Sequence, residues 1–195
     1  RELEFTWRLE LFSSGAAPEL VNIREPNDRG KPVGQRHLTP AVTRASRVAA
    51  RLGADNVEYV LGWGDKDSKP FRVAECHEDF IDLISRWAEN SPEDPVAGVV
   101  RDFYAAGGAA QLARPDGIRA KDRVLIAVDG VPVYKQESLV RFWSDEVVKR
   151  KGGGTSGVCL VCGNTSVLVN TVPGNISRSL VPGAANDAAL VSINA

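Results

Sequence analysis

The sequence predicts an α+β chain with an N-terminal antiparallel sheet, a helical middle with a β-hairpin, and a small C-terminal β-sheet. Three observations carry this. Leu3, Phe5, Trp7, Leu9 and Leu11 recur at period two, the pattern of a strand with one buried face. Val73, Phe80, Leu83, Ile84 and Trp87 fall on one stripe of a helix over Phe71–Asn90. Asp129-Gly130 lies between two short apolar runs, a strong hairpin signal because both residues tolerate positive φ.

The elements follow in order. Glu2 to Phe12 reads as one strand, broken at Ser13 to Gly15, and Glu19 to Arg24 as a second. The Pro-, Gly-, Asn- and Asp-rich stretch from Glu25 to Gly34 reads as a loop. Thr39-Pro40 has the form of an N-cap with proline in the first turn, which predicts a helix ending at Gly53. On that helix Arg44, Arg47 and Arg51, spaced three and four apart, share one face. A new segment starts at Asp55-Asn56 and stops at Gly62; Trp63 to Pro70 is a loop. A helix over Asp94–Tyr104 follows the one at Phe71–Asn90 and packs against it as an antiparallel hairpin. Strands flank Asp129-Gly130 within Val124–Val133, and a third helix covers Gln136–Lys149. Lys149-Arg150-Lys151 and the three glycines after it read as a basic, flexible connector. Val158–Val161, Val167–Asn170 and Ala189–Ile193 read as strands of the small C-terminal sheet. The domain reading is therefore 1–150 for an α+β recognition domain, and 151–195 for a Gly-rich connector with a small β subdomain.

Composition narrows the function. The chain has 195 residues, 43% hydrophobic and 25% charged, enough for a substantial core. No apolar run approaches the roughly 20 residues of a membrane span, so no membrane role is expected. The opening alternates apolar and charged residues and reads as a strand, not a secretory leader. Three cysteines, an odd and low count, fit a reducing cytoplasm better than a disulfide framework. Net charge is −1, but charge is segregated along the chain. Arg29, Lys31, Arg36, Arg44, Arg47 and Arg51 stand in a stretch with no acidic residue, whereas Glu75 to Asp102 holds eight acidic residues and two arginines. If that segregation holds in space, one face attracts phosphates while the average stays neutral.

Residues able to carry chemistry are few. Cys159-Leu160-Val161-Cys162-Gly163 has the form of a zinc knuckle but supplies two of the four ligands a structural zinc takes. Cys76-His77 is the remaining source of ligands, but adjacent residues rarely point at one metal, and buried cysteines at a turn are the preferred reading; no metal and no cofactor are expected. His77 reads as a partly buried helix residue. G-x-S-x-G, H-E-x-x-H and Walker A patterns are missing, so no catalytic residue is assigned and the chain is not expected to be an enzyme by itself. The acidic residues of the Phe71–Asn90 helix read as its solvated face, with a two-metal nuclease as the alternative. The basic segment suits backbone phosphates, whose neutralisation makes binding salt-dependent; an ordinary basic surface is the competing reading.

Three blocks add a family resemblance. They are Arg44-Ala45-Ser46 with Asp55-Asn56-Val57-Glu58-Tyr59-Val60-Leu61-Gly62; A-x-x-H-x-x-F at Ala74, His77 and Phe80; and Gly157-Val158-Cys159-Leu160-Val161 with Ala189-Leu190-Val191-Ser192-Ile193-Asn194 downstream. In that order they resemble the N-terminal half of the large subunit of type I-C (Dvulg subtype) CRISPR Cascade. The likeness runs over nearly all of the chain, which stops where such subunits continue into a long C-terminal region. It implies a role in antiviral defence: binding target double-stranded DNA and recognising the protospacer-adjacent motif. The implied partners are the handle-binding and backbone subunits of the crRNA-guided complex and a recruited helicase–nuclease. Protein would read a short motif and guide pairing the rest.

Arg44, Ser46 and Asn56 match the family's R-x-S and D-N residues. Asn56 is the candidate for a base-edge contact, since a carboxamide donates and accepts at once; an Asx turn or helix cap beside Asp55 is the alternative. Arg44 is the leading phosphate contact. Arg47 and Arg51 join it on charge, at positions where the family usually has non-basic residues. The chain departs from the family at Cys162, where the family has threonine, and in Val172-Pro173-Gly174-Asn175-Ile176-Ser177 and Gly183-Ala184-Ala185-Asn186, where the family shows H-P-x-I-K and G-A-Q-S. Any DNA contact through that loop in relatives is in doubt here. A scaffold contacting crRNA or partner proteins without reading DNA is a further reading.

Overall fold

The computed structural model describes residues 2–40, 47–158, 163, 165–169, 175–176 and 188–189. The chain forms two compact units, Arg1–Trp143 and Ser144–Ala195. The fold is α+β, as the sequence predicts.

The first unit is built on a sheet in the order β3-β2-β8-β7, with β9 paired to β8. Its strands are β2 (Trp7–Leu11), β3 (Glu19–Asn22), β7 (Ala54–Asn56), β8 (Arg123–Val128) and β9 (Val131–Pro132). Phe5, Trp7, Leu9 and Leu11 are buried, as their alternation requires. The single strand expected over Glu2–Phe12 is nonetheless two. β1 (Glu2–Phe5) pairs with β6 (Gln35–Leu38), and β2 pairs with β3 and β8. Between them Thr6 donates to the Arg123 carbonyl at 3.1 Å and accepts from Ile23 N at 3.1 Å, so the ladder changes partner there. Glu25–Gly34, expected to be a loop, closes on itself through the short pair β4 (Glu25–Pro26) and β5 (Pro32–Val33).

β2 and β8 run parallel, from Trp7 opposite Val124 to Leu11 opposite Val128. β8 is buried on both faces. Leu125 and Ala127 join Phe5, Ile23 and Ala54 in one cluster, which leaves Val124, Ile126 and Val128 on the opposite face. The Asp129-Gly130 turn has φ of 49° and 78°, as a two-residue hairpin of this hand requires. The turn is anchored: Asp129 N donates to the Leu11 carbonyl at 3.0 Å, and Gly130 N donates to the buried Glu10 carboxylate.

Helices cover the sheet. α1 (Val57–Val60), α2 (Pro70–Glu89) and α3 (Pro95–Ala105) pack together, with α3 also against β2 and β8. The α2 stripe is buried as predicted, with Phe80, Leu83, Ile84 and Trp87 wholly covered. α3 starts with Asp94 as N-cap, its carboxylate accepting from Val96 N at 2.9 Å, and Pro95 in the first turn. Trp87 Nε1 donates to Ser138 Oγ at 3.1 Å, and Ser138 Oγ donates to Asp94, joining α2 and the α3 cap to α5 (Glu137–Lys151). A short helix, α4 (Gly108–Gln111), follows α3.

The second unit contains the end of α5 and two strand pairs, β10 (Gly152–Val158) with β11 (Thr165–Val169) and β12 (Asn175–Ile176) with β13 (Ala188–Ala189). The expected flexible connector is not seen: Lys149–Lys151 completes α5, and Gly152 opens β10 opposite Val169. The ladder is irregular after Gly152, with a register shift between Gly152 and Ser156, as glycine in a strand often marks. Cys159 and Cys162, with most of the strand expected over Ala189–Ile193, lie outside the described residues.

Candidate nucleic-acid interface

The site forms where β7 becomes α1. Gly53 leads into β7 with φ +74°, and a Cβ there would sit 2.9 Å from Val133 Cγ2, so glycine is required on two counts. Asp55 then points inward and is completely buried. Its carboxylate accepts from Arg51 N at 2.8 Å and Asn56 N at 2.7 Å, and pairs with Arg51 Nη1 at 3.4 Å. Asn56 stands at the N-cap position of α1, yet its side chain makes no capping hydrogen bond. Asp55, not Asn56, organises the turn, which leaves the Asn56 carboxamide on the wall of a cleft of about 510 Å³.

The helix expected over Thr39–Gly53 is absent where it is described: residues 47–53 are irregular. Three successive backbone N–H groups there are taken by side chains. Ala49 N donates to the Tyr59 hydroxyl at 3.4 Å, Ala50 N to Asp79 Oδ2 at 2.6 Å, and Arg51 N to Asp55. Tertiary acceptors thus replace the i−4 carbonyls, against a weak helix propensity. The shared helical face for Arg44, Arg47 and Arg51 does not form in this stretch. Arg44 and Ser46 lie outside the described residues.

Two of the blocks that carry the family resemblance, Asp55–Gly62 and Ala74–Phe80, interlock here. His77 Nδ1 donates to the Tyr59 carbonyl at 2.7 Å, and its ring covers Gly62, where a Cβ would come within 2.9 Å of His77 Cδ2. Tyr104 donates to the Val60 carbonyl at 3.0 Å and meets His77 and Phe80 edge-on. Burial lowers the His77 pKa, against the opposing pull of the Tyr59 carbonyl and Glu78, so the ring is held neutral as a donor to backbone. His77 is part of the frame, the partly buried helix residue that the sequence suggests.

Four cations border the cleft: Arg47 from the irregular loop, Lys69 and Arg72 from the start of α2, and Lys121 from the loop before β8. Arg47 and Lys69 make no side-chain hydrogen bond or ion pair among the described residues. Lys121 pairs with Glu58 at 2.7 Å but stays 76% exposed. Arg51, in contrast, is turned to Asp55, its side chain 15% exposed. Arg47 and Asn56 therefore share the cleft, while Arg51 lies beneath it as a support. Three carboxylates also line the cleft, and two are engaged internally. Glu58 accepts from Ser68 Oγ at 3.0 Å as well as from Lys121. Asp65 accepts from Ala120 N at 2.8 Å and pairs with Arg114 at 3.1 Å, fastening the loop before α2 to the loop before β8.

Sequence reasoning missed Lys69, Arg72 and Lys121. Each reads locally as a surface charge, and it is the Asp65 clasp, with Glu58 bridging Ser68 and Lys121, that brings their segments together. One signal was present: Arg114, Arg119, Lys121 and Arg123 crowd one short turn-rich stretch.

A family model of CRISPR-associated proteins, Cas_Csd1, matches residues 2–195. The chain belongs to this CRISPR-associated family. Membership gives a Cas_Csd1 protein a role in CRISPR defence alongside other Cas proteins. None of the curated proteins matches the chain. In this Cas_Csd1 chain no three His, Cys, Asp or Glu side chains gather as metal ligands among the described residues. No helix among those residues is long and apolar enough to cross a membrane.

Proposed function

We propose that this chain is the N-terminal DNA-recognition part of the large subunit of a type I-C surveillance complex. It binds target duplex DNA and reads the adjacent motif, and it has no catalytic activity of its own. Its partners are the handle-binding and backbone subunits and the helicase–nuclease recruited afterwards. One observation supports this reading most: Asn56, its backbone N–H held by the fully buried Asp55 and its carboxamide uncommitted to any cap, shares a cleft with Arg47, which has no side-chain partner among the described residues. A carboxamide is the side chain suited to an adenine edge, accepting from N6 and donating to N7. Its backbone is held at a strand end, so only the side chain has to be ordered on contact. Arg47, Lys69 and Lys121 at the rim suit the flanking phosphates, which position the duplex without reading it.

The test is a mobility shift of the chain assembled with its partners, on duplexes with the motif intact or randomised, across a salt series. Asn56→Ala should lose discrimination between the two duplexes while keeping salt-dependent binding. Arg47→Ala should weaken both duplexes alike. An Asn56→Ala protein that discriminates as well as the wild type makes the assignment wrong.

A further inference from the structure

Asp67 is the third carboxylate of the cleft, and nothing above uses it. It is exposed, sits on the turn before α2, and makes no side-chain hydrogen bond or ion pair among the described residues. Glu58 and Asp65 differ, because their oxygens are occupied by Ser68, Lys121, Ala120 and Arg114. An unoccupied carboxylate on a surface that meets DNA repels any phosphate brought near it. It is tolerable only where bases, not phosphates, approach. An ionised carboxylate accepts hydrogen bonds and donates none. The donors on base edges are exocyclic amino groups: N4 of cytosine and N6 of adenine in the major groove, N2 of guanine in the minor groove.

We propose that the cleft recognises the exocyclic amino group of one base of the adjacent motif, with Asp67 as a specificity-determining acceptor beside Asn56. This rests on the DNA-reading function above and names the chemical feature that is read. Asn56 supplies one donor and one acceptor, Asp67 an acceptor only, and Arg47 and Lys69, without side-chain partners among the described residues, take the phosphates on either side. A base edge that offers only acceptors finds too few donors here and leaves Asp67 facing lone pairs.

The experiment removes amino groups one at a time. The chain assembled with its partners is titrated with duplexes in which each motif base in turn is replaced by its analogue lacking the amino group: purine for adenine, hypoxanthine for guanine, 2-pyrimidinone for cytosine. At one position the loss should be about 5- to 150-fold, the range of a good base-edge contact. In Asp67→Ala the penalty for the analogue at that position should shrink to what Asn56 alone confers, while in Arg47→Ala it should keep its wild-type size. Asp67 lies on an exposed turn, so its substitution leaves the frame intact. Motif-dependent binding that ignores every amino deletion, or an amino-deletion penalty undiminished in Asp67→Ala, overturns the role of Asp67 and leaves DNA reading standing. Wild-type binding without any motif dependence overturns both.

Discussion

Replacing Asp55 with alanine tests whether the clamp holds the site. Its carboxylate is completely buried and serves two backbone donors, Arg51 N at 2.8 Å and Asn56 N at 2.7 Å, besides the Arg51 guanidinium at 3.4 Å. Alanine removes all of these acceptors at once. Each buried donor left without a partner costs about 1–3 kcal/mol. Removing one side of a buried ion pair costs about 3–5 kcal/mol, because the other charge stays behind. These overlap, and Arg51 at 15% exposure retains some access to water, so we expect a loss of about 3 kcal/mol. Urea unfolding followed by tryptophan fluorescence should show the midpoint falling by about 1–3 M at an unchanged slope. Asp55→Asn keeps one acceptor oxygen and should lose roughly half as much. A loss below about 1 kcal/mol for the alanine variant would refute the reasoning, since two buried N–H groups cannot go unpaired so cheaply.

Three further outcomes follow from the same geometry. Trp87→Ala empties a wholly buried site and removes the donor to Ser138, so thermal unfolding should report a loss of about 3–5 kcal/mol; a change under about 1 kcal/mol contradicts the packing. Burial lowers the His77 pKa below 6.5 in the folded chain, so the unfolded chain takes up the proton first as pH falls. The stability tied to neutral His77 is full above about 6.5 and drains as pH falls through the lowered folded value. The drop in unfolding midpoint between about pH 8 and about pH 5 should therefore be smaller in His77→Gln than in the wild type, and an equal drop counts against it. Arg47→Ala should flatten the dependence of log affinity on log salt by about 0.9, one phosphate contact; an unaltered slope removes Arg47 from the DNA.

The parts of the fold legible in the sequence are those fixed locally. The alternation from Leu3 to Leu11, the α2 stripe and the Asp129-Gly130 turn each follow from a period or from a φ that few residues tolerate. Pairing is another matter. β2 and β8 meet in parallel across 117 residues, Trp7 to Val124, and nothing in either run names its partner. The change of partner at Thr6 is invisible for the same reason: side chains keep alternating while the backbone donor goes to Arg123 and the acceptor is met by Ile23. Residues 47–53 mislead in the opposite way. Local signals favour a helix, but Tyr59, Asp79 and Asp55 capture the N–H groups that a helix would use.

The site was half legible, and the missing half is electrostatic. A net charge of −1 gives no hint of a phosphate-binding rim, and the basic run from Arg29 to Arg51 overstates one, since Arg51 is committed to Asp55. What decides the local field is which charges are left over after folding. Around the cleft the internal partners are assigned unevenly: Glu58 and Asp65 are engaged, whereas Arg47 and Lys69 have none among the described residues. A sequence counts charges, whereas a polyanion meets only those whose partners are not already inside the protein. On the proposed function the rim meets phosphate although the chain is nearly neutral, and Asp67 is the lining carboxylate without an internal partner among the described residues.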